Sequence, residues 1–249
     1  MKAILTDVTK CTGCDKCKEA CHEFYNKGKV SVPSVDATDD LSEANWTTVL
    51  EPEKGVFVRR QCLHCVDPTC VSVCPVGAFR KDEAGPVIYD ANKCIGCRYC
   101  MYACPFSIPR YEWGAVFPLV RKCLMCYELL DKGEIPKCVE VCPEQATIFG
   151  DRDELFAEAR RRIEASPNRY INHIYGEKEA GGTCVLYISN IKLDDVLGFR
   201  ERVGVDPLST WTWDWMVKVP TIGLGAGVAM TGVWWTIRRR MQLEKENGS

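Results

Sequence analysis

Sixteen of the chain's 17 cysteines fall into four runs of four. Cys94, Cys97, Cys100 and Cys104 are spaced x2, x2, x3, and Pro105 follows. Cys11, Cys14, Cys17 and Cys21 repeat that spacing. Cys62, Cys65, Cys70 and Cys74 are spaced x2, x4, x3, and Cys123, Cys126, Cys138 and Cys142 are spaced x2, x11, x3. All four runs end on an x3 step, and in three of them Pro follows the last Cys. Thiolates at this spacing hold one [4Fe–4S] cluster with three sulfurs, while the fourth Cys reaches a second cluster. Sixteen such ligands suffice for four clusters. Cys184 is left over; it follows Gly-Gly-Thr and opens an apolar stretch, so a buried, inert thiol is its expected role.

Two other uses of cysteine compete. Disulfides fit poorly, because two cysteines within one tight C-x-x-C loop chelate more readily than they staple distant chain. Zinc takes C-x2-C pairs, commonly two separated by a longer loop. Only the last run has that form, and it keeps the C-x3-C-P ending of its neighbours. A zinc-stapled membrane adaptor without redox chemistry is therefore the rival class. The formal charge of −2 offers no basic face, which excludes nucleic acid as an expected partner. No nucleotide-binding glycine loop or Ser–His–Asp arrangement is present. Of three histidines, His22 and His64 stand beside Cys ligands and His173 in a loop. Hydrogen bonding around the ligands, or plain surface, is their expected role rather than acid–base catalysis. With four protein thiolates for every cluster, no iron is left open to substrate. The chain reads as an electron carrier, not as an enzyme by itself, and no catalytic residue is assigned.

The elements that must position these ligands are short. AILTDV (3–8) leads as a strand into the first run. PSVDATDDLSEANW (33–46) is polar and turn-rich, and TTVL and GVFVRR follow as strands, so 26–61 reads as a surface insertion with a hairpin. AFRK and VIYD flank a turn at Gly85–Pro86, between the second and third runs. That short connection folds the two runs back on each other, so that each lends its fourth Cys to the other. One set is then Cys62, Cys65, Cys70 and Cys104; a second is Cys74, Cys94, Cys97 and Cys100. The first and last runs pair by elimination, giving Cys11, Cys14, Cys17 and Cys142, and Cys21, Cys123, Cys126 and Cys138. The expected fold is α+β: two ferredoxin-like two-cluster modules, one inserted in the other, with a C-terminal transmembrane helix. The outer module takes 1–25 and 110–150, and the inner one 62–109. Ile95, Tyr99, Met101 and Phe106 are expected either to shield the clusters or to be ordinary core. A helix–strand extension covers 151–205. Within it, Asp151 and Glu154 resemble a capping box, Leu155, Phe156, Ala159 and Ile163 form a stripe at helical spacing, and Arg160–Arg162 read as a solvated face. Ser166–Pro167 ends that helix, and TCVLYIS follows as a strand.

A membrane anchor is expected at 211–240, with a cytoplasmic tail at 241–249. Val219 to Ile237 carries no charge over 19 residues. At 1.5 Å per residue such a helix spans roughly 28 Å, about the hydrocarbon core of a bilayer. Trp211, Trp213 and Trp215 precede it, Trp234 and Trp235 close it, Lys218 can snorkel, and Arg238–Arg240 stop it. Gly223 and Gly227 at G-x-x-x-G spacing make a face for another membrane helix. The arginines place the C-terminus in the cytoplasm and the cysteine-rich part outside. The N-terminus shows no secretory signal or twin arginine, so export in a folded state with a signal-bearing partner is expected.

CIGCRYCMYACPFSIPRYEW, QCLHCVDPTCVSVCPVGA, PKCVEVCPEQATIFG and YGEKEAGGTCVLYIS resemble the four-cluster iron–sulfur (beta) subunits of membrane-bound respiratory oxidoreductases. The resemblance covers about residues 4–190 and is strongest to the beta subunit of quinone-linked formate dehydrogenase and to the ferredoxin-like subunit of uptake [NiFe] hydrogenase. DLSEANWTTV (40–49) looks formate-like, whereas VDPTCVSVCPV and CRYCM look equally hydrogenase-like. The resemblance implies four [4Fe–4S] clusters that pass electrons from a catalytic subunit to an integral membrane cytochrome b or quinone-binding subunit. The catalytic partner would be a molybdopterin formate dehydrogenase type or [NiFe] hydrogenase large and small subunits. His22 departs from the pattern, where other runs have Pro after the last Cys.

Overall fold

The chain's computed structural model describes residues 1–28, 39–198 and 203–247. They divide into two units, Met1–Leu208 and a second that starts at Ser209. Part of the polar stretch expected at 33–46, residues 33–38, lies outside the described residues.

Strand β1 (Lys2–Asp7) is buried on both faces from Ala3 onward, as only a central strand can be. Its neighbours are β8 (Thr147–Asp151), antiparallel with Lys2 opposite Asp151 and Thr6 opposite Thr147, and β9 (Val185–Ile188), parallel with Ile4 opposite Val185 and Asp7 opposite Ile188. A parallel pair needs a long crossover. Helix α6 (Arg152–Ala165) lies in the stretch between β8 and β9 and sets Leu155, Phe156, Ala159 and Ile163 into the core against β1. The predicted stripe is thus the packed face. The capping box is not formed: Asp151 sits at the N-cap without a side-chain cap bond, because its carboxylate takes Lys2 Nζ at 2.9 Å instead. The arginine face also divides. Arg160 and Arg161 are exposed and pair with Glu177 and Glu158, but Arg162 turns inward to Asp7 Oδ2 at 3.2 Å.

Strands β2 (Thr47–Glu53) and β3 (Val56–Gln61) form the expected hairpin, with its register shifted between Leu50 and Glu53. Residues 39–48, however, are not a surface insertion. Leu41, Ala44, Trp46, Thr47 and Thr48 are buried. The polar side chains that suggested exposure are satisfied internally, with Ser42 Oγ accepting from the backbone of Ala44 and Asn45 and Trp46 Nε1 donating to Glu43 O. Two smaller hairpins complete the strands: β4 (Phe79–Lys81) with β5 (Val87–Tyr89), and β6 (Arg110–Tyr111) with β7 (Val120–Arg121).

The second unit holds helices α8 (Thr210–Met216) and α9 (Lys218–Asn247), and its large apolar side chains, from Trp211 to Leu243, are exposed. The span Thr210–Glu246 is long and apolar enough to cross a membrane. Gly223 and Gly227 share one exposed face of α9 with Leu224, Val228 and Thr231.

Candidate iron–sulfur centres

The ligand loops come in two conformations, each used twice. In the first, Asp7 caps a single 3-10 turn, Val8–Lys10, by accepting from Thr9 N, and Cys11 follows at φ −72°, ψ 126°. Asp90 caps Ala91–Lys93 through Asn92 N in the same way, and Cys94 follows at φ −72°, ψ 128°. Gly13 and Gly96 then take φ of +71° and +70°, and Asp15 and Arg98 are left-handed at φ 56° and 64°. Each segment turns next into a helix, α1 (Lys16–Asn26), which carries Cys17 and Cys21, or α3 (Tyr99–Ala103), which carries Cys100 and ends at Cys104. A Cβ at Gly13 would strike the Phe57 ring, so sterics as well as backbone angle require glycine there.

The second loop starts at a proline. Pro68 precedes α2 (Thr69–Ser72) and Pro136 precedes α5 (Lys137–Glu140). Val73 and Val141 end these turns at φ −87° and −86°. Cys74 and Cys142 follow, and the chain passes through Ala78 or Ala146 into β4 or β8. Asp90 N donates to Ala78 O at 2.8 Å, and Asp7 N to Ala146 O at 2.7 Å. The two loop types therefore face each other across an antiparallel strand pair twice, β4–β5 and β8–β1, in opposite chain order. The spacing of the cysteines alone does not reveal this; the recurrent D-x-x-K-C-x-G-C at 7–14 and 90–97 is the signal that carries it.

Side-chain proximity groups the thiols. Cys11 senses Cys14 and Cys142, Cys21 senses Cys123, Cys126 and Cys138, Cys65 senses Cys62, Cys70 and Cys104, and Cys100 senses Cys74, Cys94 and Cys97. Burial pushes the Cys17 thiol up to about 11 and the Cys100 thiol up to about 12, and it holds Cys21 and Cys65 well above the ordinary thiol value. Backbone N–H groups point at sulfur from Ala78 to Cys74 at 3.2 Å, from Gly96 to Cys94 at 3.4 Å and from Met125 to Cys123 at 3.3 Å. A thiol buried in this way becomes a ligand by giving its proton up to a metal, and such N–H donors then set the potential of an iron–sulfur site.

The donor set fits a cluster. Tetrahedral zinc would need thiolate sulfurs about 3.8 Å apart, and among the described residues no three His, Cys, Asp or Glu side chains converge tightly enough for a single ion. Cys11, Cys14, Cys17, Cys138 and Cys142 instead line one shared cavity. Arg59 lines it too, buried, and its Nε and Nη1 find no hydrogen-bond partner among the described residues. An uncompensated guanidinium in that position calls for an anion.

The remaining residues singled out in the sequence are placed as follows. Cys184 is fully buried, beside Lys81 Nζ at 3.3 Å. His64 is fully buried, with Nδ1 accepting from Val87 N at 2.9 Å, so it carries its proton on Nε2 when neutral. His22 Nδ1 is 3.3 Å from Ala44 O, and His173 pairs with Glu179 on the surface. Phe106 is core, whereas Ile95 and Tyr99 are largely exposed.

Duplicated loops that gather buried thiols around an uncompensated cation define an electron-transfer protein of the two-cluster iron–sulfur kind. Residues 54–152 match the 4Fe-4S dicluster domain. The chain is 39% identical to hydrogenase-2 operon protein HybA of Escherichia coli O157:H7, over 83% of this chain and 74% of that one. It is 34% identical to the formate dehydrogenase iron–sulfur subunit of Haemophilus influenzae, over 93% of this chain and 78% of that one. It is also 34% identical to the iron–sulfur subunit of the nitrate-inducible formate dehydrogenase of Escherichia coli K12, over 75% and 67%. The chain belongs to this family of iron–sulfur subunits. It is an electron-transfer subunit of a respiratory oxidoreductase, built for [4Fe–4S] clusters, and not a catalyst by itself.

Proposed function

We propose that the sixteen clustered thiols hold four [4Fe–4S] clusters in a line. The ligand sets are Cys11, Cys14, Cys17 and Cys142; Cys21, Cys123, Cys126 and Cys138; Cys62, Cys65, Cys70 and Cys104; and Cys74, Cys94, Cys97 and Cys100. The mutual electrostatic influence of the thiols within each set supports this partition, and the influence between sets supports the order. Cys17 senses Cys138, Cys123 senses Cys62, and Cys70 senses Cys100. The sets then succeed one another as written. When bound, each cluster supplies a one-electron carrier whose potential follows its surroundings. The protein holds the thiolates, aims N–H dipoles at sulfur and keeps water out. The duplicated loops support two two-cluster modules, the inner at 62–109 and the outer at 1–25 and 110–150. The conduction path runs through both.

The electrons come from a catalytic subunit, of formate dehydrogenase type or of [NiFe] hydrogenase type, and leave to a membrane cytochrome b or quinone-binding subunit. The names of the relatives support both types, and the formate-like stretch at 40–49 favours the first. α9 crosses the bilayer with its Arg238–Arg240 end in the cytoplasm, and Gly223 and Gly227 pack on a membrane partner. The iron–sulfur unit lies outside, exported with a signal-bearing partner.

Cys126→Ala in the complete complex tests the line. The expected result is loss of one cluster, about four iron atoms per complex, with this subunit's three other sets of cluster signals kept, and a fall of at least tenfold in electron transfer to quinone. Unchanged transfer with that cluster gone would overturn the order. Loss of the signal assigned to the Cys11 set instead would overturn the partition.

A further inference from the structure

Adjacent residues of β3 point to opposite faces, and Arg59 and Arg60 show what this does to two neighbouring cations. Arg60 is neutralised: Nε donates to Asp39 Oδ2 at 2.6 Å, Nη1 to Val196 O at 2.7 Å and Nη2 to Phe106 O at 2.9 Å. Lys122, also buried, is satisfied by Val87 O at 2.6 Å and Cys123 O at 2.9 Å. Arg59 is just as buried and has none of this. Nη2 reaches Thr6 Oγ1 at 3.5 Å and the guanidinium donates to the Cys138 sulfur, but among the described residues Nε and Nη1 find no hydrogen-bond partner and no carboxylate pairs with it. It is the largest of the fully buried side chains. The groups that favour its charge are the thiols of Cys138 and Cys17 and the Tyr187 hydroxyl. Cys17 and Cys138 belong to different ligand sets. Both line the cavity that Arg59 lines, together with Cys11, Cys14 and Cys142.

A buried guanidinium without a counter-anion costs several kcal/mol, and arginine does not shed its proton to escape that cost. Its compensation has to be the negative charge of thiolates carrying iron. Coulomb's law fixes the sign of the effect. A permanent positive charge stabilises the state with one more electron, and it does so at every pH because the charge does not titrate. We propose that Arg59 is a fixed charge shared by the two neighbouring clusters of the outer module, raising the reduction potentials of both. It is a positioning and tuning residue, since it touches ligands and not substrate. Pairing with a carboxylate would have cancelled that influence, which is why the contrast with Arg60 matters.

The inference rests on the ligand sets proposed above. It is tested by redox titration followed by electron paramagnetic resonance, on the full chain purified with its partner subunits. Arg59→Met and Arg59→Gln remove the charge, and Arg59→Lys keeps it. In the neutral variants, two of the four clusters are expected to show an oxidised-to-reduced ratio at least tenfold higher at a fixed ambient potential. That is a fall of 59 mV or more for a one-electron couple. The other two clusters should not move, and Arg59→Lys should stay near the parent. If the neutral variants lose the two outer clusters while Arg59→Lys keeps its full iron, the charge is needed to hold them, which also supports the proposal. Unchanged potentials in loaded neutral variants would overturn it. So would a lysine variant that shifts, or loses iron, as much as methionine does. Failure of the ligand reading is separately visible, because the parent complex would then lack four [4Fe–4S] signals.

Discussion

Asp39 holds two arginines from distant parts of the chain. Its carboxylate takes Arg60 Nε at 2.6 Å and Arg110 Nη2 at 2.8 Å on each oxygen, and Arg110 Nε continues to Leu41 O at 3.1 Å. The pairs are nearly closed to water, so they are not screened as surface pairs are. Removing the carboxylate leaves two cations in a dry site. Asp39→Asn is expected to destabilise the fold by about 3–5 kcal/mol, read as a lowered urea midpoint of the cluster-loaded protein; an unchanged midpoint would show the site to be wet. The four runs of cysteines were legible in the sequence because cluster chemistry dictates such spacing. Arg59 and Asp39 were not. An Arg in a pair on a strand and an Asp in a polar run look solvated until the fold decides which face is inside.

Among the elements, those with a strong local cause were legible. β1, the β2–β3 hairpin, α6 and the Gly85–Pro86 turn stand where their composition puts them. The two 3-10 turns capped by Asp7 and Asp90 went unread, because three residues are too few to show a period. The segment 39–48 was read as surface because its composition is polar, whereas tertiary hydrogen bonds satisfy its Ser and Trp groups inside. α9 makes its own prediction. A fluorescent protein fused after Ser249 should glow, since it stays in the cytoplasm; a fusion active only on the outer side would reverse the orientation. Gly227→Leu should leave the helix in the membrane yet reduce recovery of the membrane partner in mild detergent by at least several-fold. Full recovery would remove the glycine face from the interface.

At the scale of the molecule, the antiparallel hairpin of β4 and β5 between the second and third runs was open to sequence reasoning, because a short connection can join only neighbours. The central sheet was not. Nothing local announces that β9, far along the chain, lies parallel to β1. That strand completes the sheet: Val185 to Ile188 are fully buried, and the Tyr187 hydroxyl donates to Arg59 O at 2.9 Å. A chain ended after Ala180 keeps all sixteen clustered cysteines but leaves β1 with a bare edge. It is expected to lose protease resistance across residues 1–150 completely, and cleavage as slow as in the full chain would show β9 to be dispensable.

The order β8-β1-β9 also sets a clock. β1 leaves the ribosome well ahead of both its partners. At about 5–20 residues per second, on the order of 10–40 s pass between the synthesis of β1 and that of β9. Until β8 is made, Ala3, Ile4 and Leu5, which have no solvent exposure in the finished fold, are an apolar strand with neither partner to join. For a strand of this kind, a companion that shelters nascent chain is part of the route to the native state, and the rate of translation becomes a determinant of yield.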